Sequence, residues 1–285
     1  MWIKKIKSCA QLMRLHKPIG ILLLLWPTLW ALWLAGRGKP DLFVVMIFSA
    51  GVFVMRAAGC VMNDYADRNV DAHVARTRNR PLAAGDLQPR TALVIFALLM
   101  LAALVLVLQL NHFTLYLACV GAVLAITYPF MKRITQLPQL GLGVAFSWGV
   151  LMAFAALKNA VPAGAWLVFI TAVIWPVIYD TMYAMTDRAD DVKIGIKSTA
   201  ILFGTMDKKI IAILQCLFLS GLISIGFYFH LSGIYYCSIV VSAALFIYQQ
   251  FLIKHRDPQR CFQAFLNNNW VGLIIFAGIA GSESL

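Results

Sequence analysis

Nine stretches of this chain are apolar for long enough to cross, or nearly cross, a bilayer. The hydrocarbon core is roughly 30 Å thick and needs about 20 helical residues at 1.5 Å each. The stretches cover approximately residues 19–35, 42–62, 91–110, 113–130, 139–157, 165–185, 210–230, 233–253 and 268–281. The last is short and is expected to be tilted, partial or re-entrant. The pattern predicts an all-α, polytopic membrane protein, with nine transmembrane helices in a single membrane domain, 1–285.

Composition agrees with the bilayer as solvent. Hydrophobic residues make up 61% of the chain and charged residues only 13%, against roughly a quarter charged in soluble proteins, and the mean hydropathy is +0.81. A secreted disulfide scaffold, a disordered tail and an ordinary cytosolic enzyme are excluded. The six cysteines form no C-x-x-C pair and the histidines stand alone, so neither set has the spacing of a metal site.

Charge orients the bundle. Of 24 Lys and Arg, only Arg37, Lys39 and Lys158 fall on the far side and only Arg56 falls within a span; every other one lies on the side of the N-terminus. The positive-inside rule then places the N-terminus in the cytoplasm. Because the basic residues are spread over separate loops at a membrane surface, nucleic acid is not an expected partner. Residues 1–17 are basic, with Trp2, Ile3, Ile6 and Met13 at near-helical spacing, and read as an interfacial helix. No small-residue cleavage site follows the first apolar run, so a signal peptide is not expected.

Two loops are longer than the rest, 63–90 and 186–209, and both face the cytoplasm. Each follows an even-numbered span and opens with Asp-Arg, at Asp67-Arg68 and Asp187-Arg188, 120 residues apart. This suggests two parallel four-helix halves plus a ninth helix, an arrangement that places a site at the mutual interface.

Seven of the twelve acids (Asp64, Asp67, Asp71, Asp180, Asp187, Asp190 and Asp191) gather in or just before these loops. Asn63, Asp67 and Asp71 are spaced i, i+4, i+8 and share one face if the helix continues; Tyr183, Asp187 and Asp191 repeat the spacing. Like charges so placed repel, and something positive must sit between them. On one loop alone, pairing with neighbouring arginines would account for such carboxylates. Two stripes in equivalent halves point instead to Mg²⁺, which takes hard oxygen ligands and bridges carboxylates to substrate phosphates. Arg76, Arg78, Arg80, Lys193 and Lys197 are then available to neutralise remaining phosphate charge, or serve only as positive-inside signals. A diphosphate site at the membrane surface follows.

Arg56 precedes Asn63 by seven residues, and Asp180 precedes Asp187 by the same interval. Each would cost about 2.5 to 3.5 kcal/mol in lipid, so both are expected to face the bundle interior. They could pair with one another, or Arg56 could hold an aromatic acid beneath the metal site.

At these residues the chain resembles the membrane-embedded aromatic prenyltransferases of the UbiA type, in particular those that prenylate 4-hydroxybenzoate in ubiquinone biosynthesis. The family's N-x-x-x-D-x-x-x-D is matched by Asn63, Asp67 and Asp71, its Y-x-x-x-D-x-x-x-D by Tyr183, Asp187 and Asp191, and its Y-x-x-x-K by Tyr128 and Lys132. Flanking segments around Lys17-Pro18-Ile19-Gly20, Asn79-Arg80-Pro81-Leu82 and Lys197-Ser198-Thr199-Ala200 are also similar. The resemblance covers roughly residues 10 to 210. It implies a central cavity open sideways to lipid and covered by the two loops. On matching positions it implies Asp67, Asp71, Asp187 and Asp191 holding Mg²⁺ with Asn63 in support, Arg80 and Lys132 on the diphosphate, and Arg56 on the benzoate carboxylate. The implied partners are a polyprenyl diphosphate, 4-hydroxybenzoate and membrane lipid, and the implied setting is the inner (cytoplasmic) membrane with the active site on its cytoplasmic side.

The residues fit that chemistry. Ionising an allylic diphosphate requires the leaving group's charge to be neutralised in a dry, preorganised site. Tyr128, Tyr179, Tyr183 and Trp175 are candidates for shielding the allyl cation through cation–π attraction, or simply pack. Asp180, Asp191 or the pyrophosphate itself could take the ring proton. A secondary transporter shares the repeats and the intramembrane charges, but would place its coupling residues near the midplane. A phosphatidyl-alcohol phosphotransferase requires Gly where Ala72 stands. A menaquinone-type acceptor remains the nearest alternative within the family.

Overall fold

The computed structural model describes residues 2–73 and 77–283; Arg76, a candidate phosphate ligand, lies outside them. Among the described residues all regular structure is helical. Helix α1 (Trp2–Leu12) precedes α2 (Ile19–Ala35), α3 (Leu42–Asp67), α4 (Pro89–Val107) and α5 (His112–Thr127). A 3₁₀ turn at Tyr128–Phe130 leads into the short α6 (Met131–Ile134), followed by α7 (Pro138–Lys158) and α8 (Ala163–Ile194). The chain ends through α9 (Thr199–Phe203), α10 (Asp207–Tyr228), α11 (Gly233–Leu252) and α12 (Pro258–Glu283). Among the described residues eight helical segments are long and apolar enough to cross a membrane, and α2, at 17 residues, is a shorter apolar helix. The chain is a multi-pass membrane protein, with the spans in the order that the apolar runs predict.

Lipid tails are as apolar as leucine, so close packing and buried polar contacts must hold the helices together. Helix α2 packs on α7, α12 and α3, while α8 packs on α7, α10 and α12. Where α2, α8 and α10 meet, Trp30 lies 5.3 Å from Trp175, and Trp175 stacks on Phe218 at 6.1 Å. The indole N–H groups reach α12: Trp30 donates to the Gly272 carbonyl at 3.1 Å, Trp175 to Asn268 at 3.0 Å and Trp26 to Asn269 at 2.9 Å.

These contacts correct the expectation of a short last span. Asn267, Asn268 and Asn269 interrupt the apolar run, yet α12 is continuous for 26 residues. The amides are turned inward and paired. Asn268 is wholly buried and also donates to the Ala264 carbonyl, and Asn267 accepts from Gln249 at 2.9 Å. A polar side chain that finds its partner inside the bundle carries no penalty against spanning.

The motif-bearing ends also differ from the simplest expectation. Helix α3 stops at Asp67, Val70 N–H donates back to the Asp67 carbonyl at 2.7 Å, and Asp71 opens a separate 3₁₀ turn over Asp71–His73. Asp71 therefore does not continue the helical stripe; the Thr77 hydroxyl on its carbonyl and Arg80 on its carboxylate hold it in the turn. Helix α8, in contrast, runs through Tyr183, Asp187 and Asp191, so residues 186–194 are helix. It ends at Gly195, whose φ of 71° suits a residue without Cβ and whose N–H caps the Asp191 carbonyl.

Candidate active site

The acidic end of α3 is buried and matched by cations from three other parts of the chain. Asp64, Asp67 and Asp71 are each less than a tenth exposed. Arg14, in the turn after α1, donates to Asp64 at 2.8 Å. Arg80 bridges Asp64 at 3.0 Å and Asp71 at 2.8 Å. Lys132, on α6, pairs with Asp67 Oδ2, and Arg133 donates to the Ala66 carbonyl. Burial pushes the Asp71 carboxyl above the ordinary aspartate value; Arg80 opposes this, while Asp67 and Asp64 reinforce it. Burial works against the charge on Arg14, but Asp64 together with Cys60 and Tyr183 holds its pKa above the ordinary arginine value. Arg14 thus ties the turn after α1 to the acidic end of α3.

The second motif is tied to the same place through α6. Lys197 N–H donates to the Lys132 carbonyl at 3.3 Å, and Lys197 Nζ donates to the Ile134 carbonyl at 3.2 Å. One residue, Lys132, therefore holds Asp67 with its side chain and the loop after α8 with its backbone. Asp187 and Asp191 lie one turn apart on α8 and are half-buried, as are Asn63 on α3 and Tyr183, whose ring packs on Phe265 at 4.8 Å. Lys193 is not brought in: it is 73% exposed and pairs with Asp190 at 3.5 Å.

Below the acids lies an apolar cavity of about 240 Å³ flanked by α2, α3, α4, α5 and α7. On α3 its lining runs from Ile47 to Gly59, twelve residues or about 18 Å along the axis. Arg56 and Tyr128 form its polar end. Arg56 donates to Cys60 Sγ at 2.7 Å and lies 6.0 Å over the Phe146 ring, and Tyr128 donates to the Gly59 carbonyl at 3.4 Å. Arg56 and Asp180 are both within electrostatic range of the Tyr128 and Tyr179 hydroxyls. Leu104 on α4 and Cys119 on α5 line the cavity and are also exposed, so it reaches the outer surface between those helices.

Glycine makes room for the arginine. A Cβ on Gly20 would overlap the Arg56 guanidinium, with its Cζ only 2.6 Å away. Sequence reasoning singled out the Lys17-to-Gly20 segment as similar but gave Gly20 no role, and it missed Arg14 as a partner of Asp64. Trp175 and Tyr179 belong to the packed core rather than to the cavity lining.

The arrangement fits a divalent ion that arrives with a phosphate. Among the described residues no three His, Cys, Asp or Glu side chains converge into a ready-made cage. Mg²⁺ needs none, since it is commonly held by one or two carboxylates plus substrate phosphates and water. Asp67 Oδ1 is buried and has no hydrogen-bond partner, a costly state that a bound cation would relieve. Arg80 and Lys132, now on carboxylates, are the cations a diphosphate would draw.

The UbiA prenyltransferase family model matches residues 24–273. The chain belongs to this family and is a membrane prenyltransferase. Similar proteins include the 4-hydroxybenzoate octaprenyltransferases of Tolumonas auensis, 59% identical with 94% of each chain covered, and of Coxiella burnetii, 55% identical with 97% of this chain and 96% of the relative covered. Among solved structures, a UbiA homologue from Aeropyrum pernix superposes with a TM-score of 0.80 at 25% identity, covering 90% of this chain and 96% of that one. One from Archaeoglobus fulgidus, solved with GPP and Mg²⁺, superposes with a TM-score of 0.72 at 16% identity, covering 98% and 100%. The latter shows a shared fold.

Proposed function

We propose that the protein transfers a polyprenyl group from its diphosphate to 4-hydroxybenzoate, at the ring carbon ortho to the hydroxyl, and releases diphosphate, as a step of ubiquinone biosynthesis. The observation that carries the reading is the stacking of three features. A buried carboxylate cluster with cations and an unpartnered Asp67 oxygen lies at the C-terminal end of α3, Arg56 and Tyr128 lie beneath it, and an apolar channel continues below them. Relatives more than half identical over nearly the whole chain carry that activity in their names. A menaquinone-type acceptor is the weaker reading, because those names specify 4-hydroxybenzoate.

Asp67, Asp71, Asp187 and Asp191 would hold Mg²⁺, with Asn63 in support. When bound, the ion supplies charge neutralisation for the departing diphosphate. Arg80 and Lys132 shift from their carboxylates to phosphate oxygens, adding fixed positive charge where negative charge develops. Lys197 holds the Lys132 segment in place, while Lys193 acts only as part of the exposed basic surface. The prenyl tail lies in the apolar channel, which excludes water from the allylic centre. Tyr128 presents its ring toward the nascent cation, and Tyr183 closes the site from α8. Arg56 grips the benzoate carboxylate by a charge-assisted pair and so orients the ring. The C–O bond breaks with its electron pair leaving on diphosphate, the ring carbon forms the new C–C bond, and Asp180, Asp191 or the diphosphate accepts the displaced proton. The site faces the cytoplasm of the inner membrane with the N-terminus on the same side, the orientation that the positive-inside rule favours; α1 lies along that surface, and residues 77–88 and 195–198 cover the site.

Asp67→Ala and Asp187→Ala test the assignment. Each is expected to abolish prenyl transfer while folded protein remains in the membrane, and near-normal turnover in either would remove the metal role.

A further inference from the structure

One buried ion cluster lies apart from the motif carboxylates. Asp207, the first residue of α10, is completely buried, and arginines from two other elements occupy its carboxylate. Arg256 grips it as a fork, Nη2 to Oδ1 at 2.7 Å and Nε to Oδ2 at 2.9 Å, and Nη2 also donates to the Thr205 carbonyl at 2.9 Å. Arg188 adds a bond from Nη1 to Oδ2 at 3.1 Å. Arg256 is aimed by a left-handed backbone, φ 56°, in the turn between α11 and α12. A single carboxylate therefore fastens the start of α10, the α11–α12 turn and the end of α8 to one another.

The end of α8 is where this matters. Arg188 follows Asp187 directly and precedes Asp191 by three residues, so it projects about 100° around the helix from the first and about 60° from the second. Its anchor on Asp207 sets the rotation and height of the last turns of α8. At the same end of the helix, the Lys193–Asp190 pair is exposed and of a kind that contributes little stiffness. Arg188 instead bonds a fully buried carboxylate that the Arg256 fork already holds in place, so its single contact has a fixed acceptor.

We propose that Asp207, acting through Arg188, is a positioning residue that fixes Asp187 and Asp191 for the metal–diphosphate pair without touching either. This rests on the metal role proposed for Asp187 and Asp191. The test uses the full-length protein in nanodiscs, titrated with Mn²⁺ by electron paramagnetic resonance in the presence of a thiolo analogue of geranyl diphosphate. Asp207→Asn preserves shape and removes charge; it is expected to weaken Mn²⁺ binding about tenfold or more, the range seen when a residue that orients a metal ligand is lost. In turnover it raises KM for the prenyl diphosphate while KM for 4-hydroxybenzoate stays within about twofold, because only one subsite loses its support. Arg188→Gln acts in the same direction and Arg188→Lys restores part of the affinity. Should Asp207→Asn not fold, Arg188→Gln decides alone, since Arg256 still satisfies Asp207. Unchanged Mn²⁺ affinity in a folded variant, with Asp187→Asn abolishing binding, overturns the positioning role and leaves the metal site standing. Unchanged affinity in Asp187→Asn itself overturns both.

Discussion

Gly20→Ala is a one-carbon perturbation of the proposed acceptor subsite, made from a different helix than the arginine it disturbs. The Arg56 Cζ lies 2.6 Å from where the new methyl would stand, and carbon atoms in contact sit about 3.5 to 4.0 Å apart. The guanidinium must therefore retreat by about 1 Å, a displacement that can cost on the order of 10²-fold in a positioned site. Losing the charge-assisted bond to the benzoate carboxylate is worth about 1.5 to 3 kcal/mol, or roughly 10- to 150-fold at 1.4 kcal/mol per decade. The expected result is a rise of that size in KM for 4-hydroxybenzoate, with KM for the prenyl diphosphate nearly unchanged. Initial rates in membranes with each substrate varied in turn provide the measurement. Arg56→Ala should give the same substrate signature, and the double variant should be little worse than Arg56→Ala alone, because both changes remove one interaction. A Gly20→Ala enzyme with wild-type KM for 4-hydroxybenzoate, or one whose defect simply adds to that of Arg56→Ala, would refute the reasoning.

Other substitutions probe the remaining parts. Gly51 lines the cavity and has open space where a Cβ would stand; Gly51→Phe should shift preference from long prenyl diphosphates toward geranyl diphosphate by about tenfold in kcat/KM, seen in competition assays. Lys132→Ala leaves Asp67 without its cation and should raise KM for the prenyl diphosphate at least about tenfold while sparing 4-hydroxybenzoate, as measured by the same kinetics. Asn268→Leu strands the Trp175 indole N–H between α8 and α12 and should destabilise by about 1 kcal/mol, lowering Tm by a few degrees in detergent without changing substrate preference.

What the sequence made legible followed from what the bilayer penalises. Apolar runs marked the spans because hydrocarbon admits little else, and the acids stood out because charge is scarce there. Hydropathy misjudged the final helix because it counts Asn267, Asn268 and Asn269 as polar wherever they point, and only the fold shows Trp26, Trp175 and Gln249 waiting for them. The i, i+4, i+8 spacing aligned Asp187 and Asp191, since α8 continues past them, but overreached at Asp71, where α3 had already ended. Gly20, Arg14 and Asp207 were beyond sequence reasoning because each acts through a residue distant in the chain: Arg56, Asp64, and Arg188 with Arg256.

The most direct trial of the whole account is chemical. Membranes carrying the protein are incubated with 4-hydroxybenzoate, a polyprenyl diphosphate and Mg²⁺, with and without a chelator, and the lipid extract is analysed by mass. The account predicts a prenylated 4-hydroxybenzoate, joined through carbon, that disappears with chelator and returns when Mg²⁺ is restored. A product that forms undiminished in excess chelator, or the absence of any prenylated acid from active membranes, would contradict it.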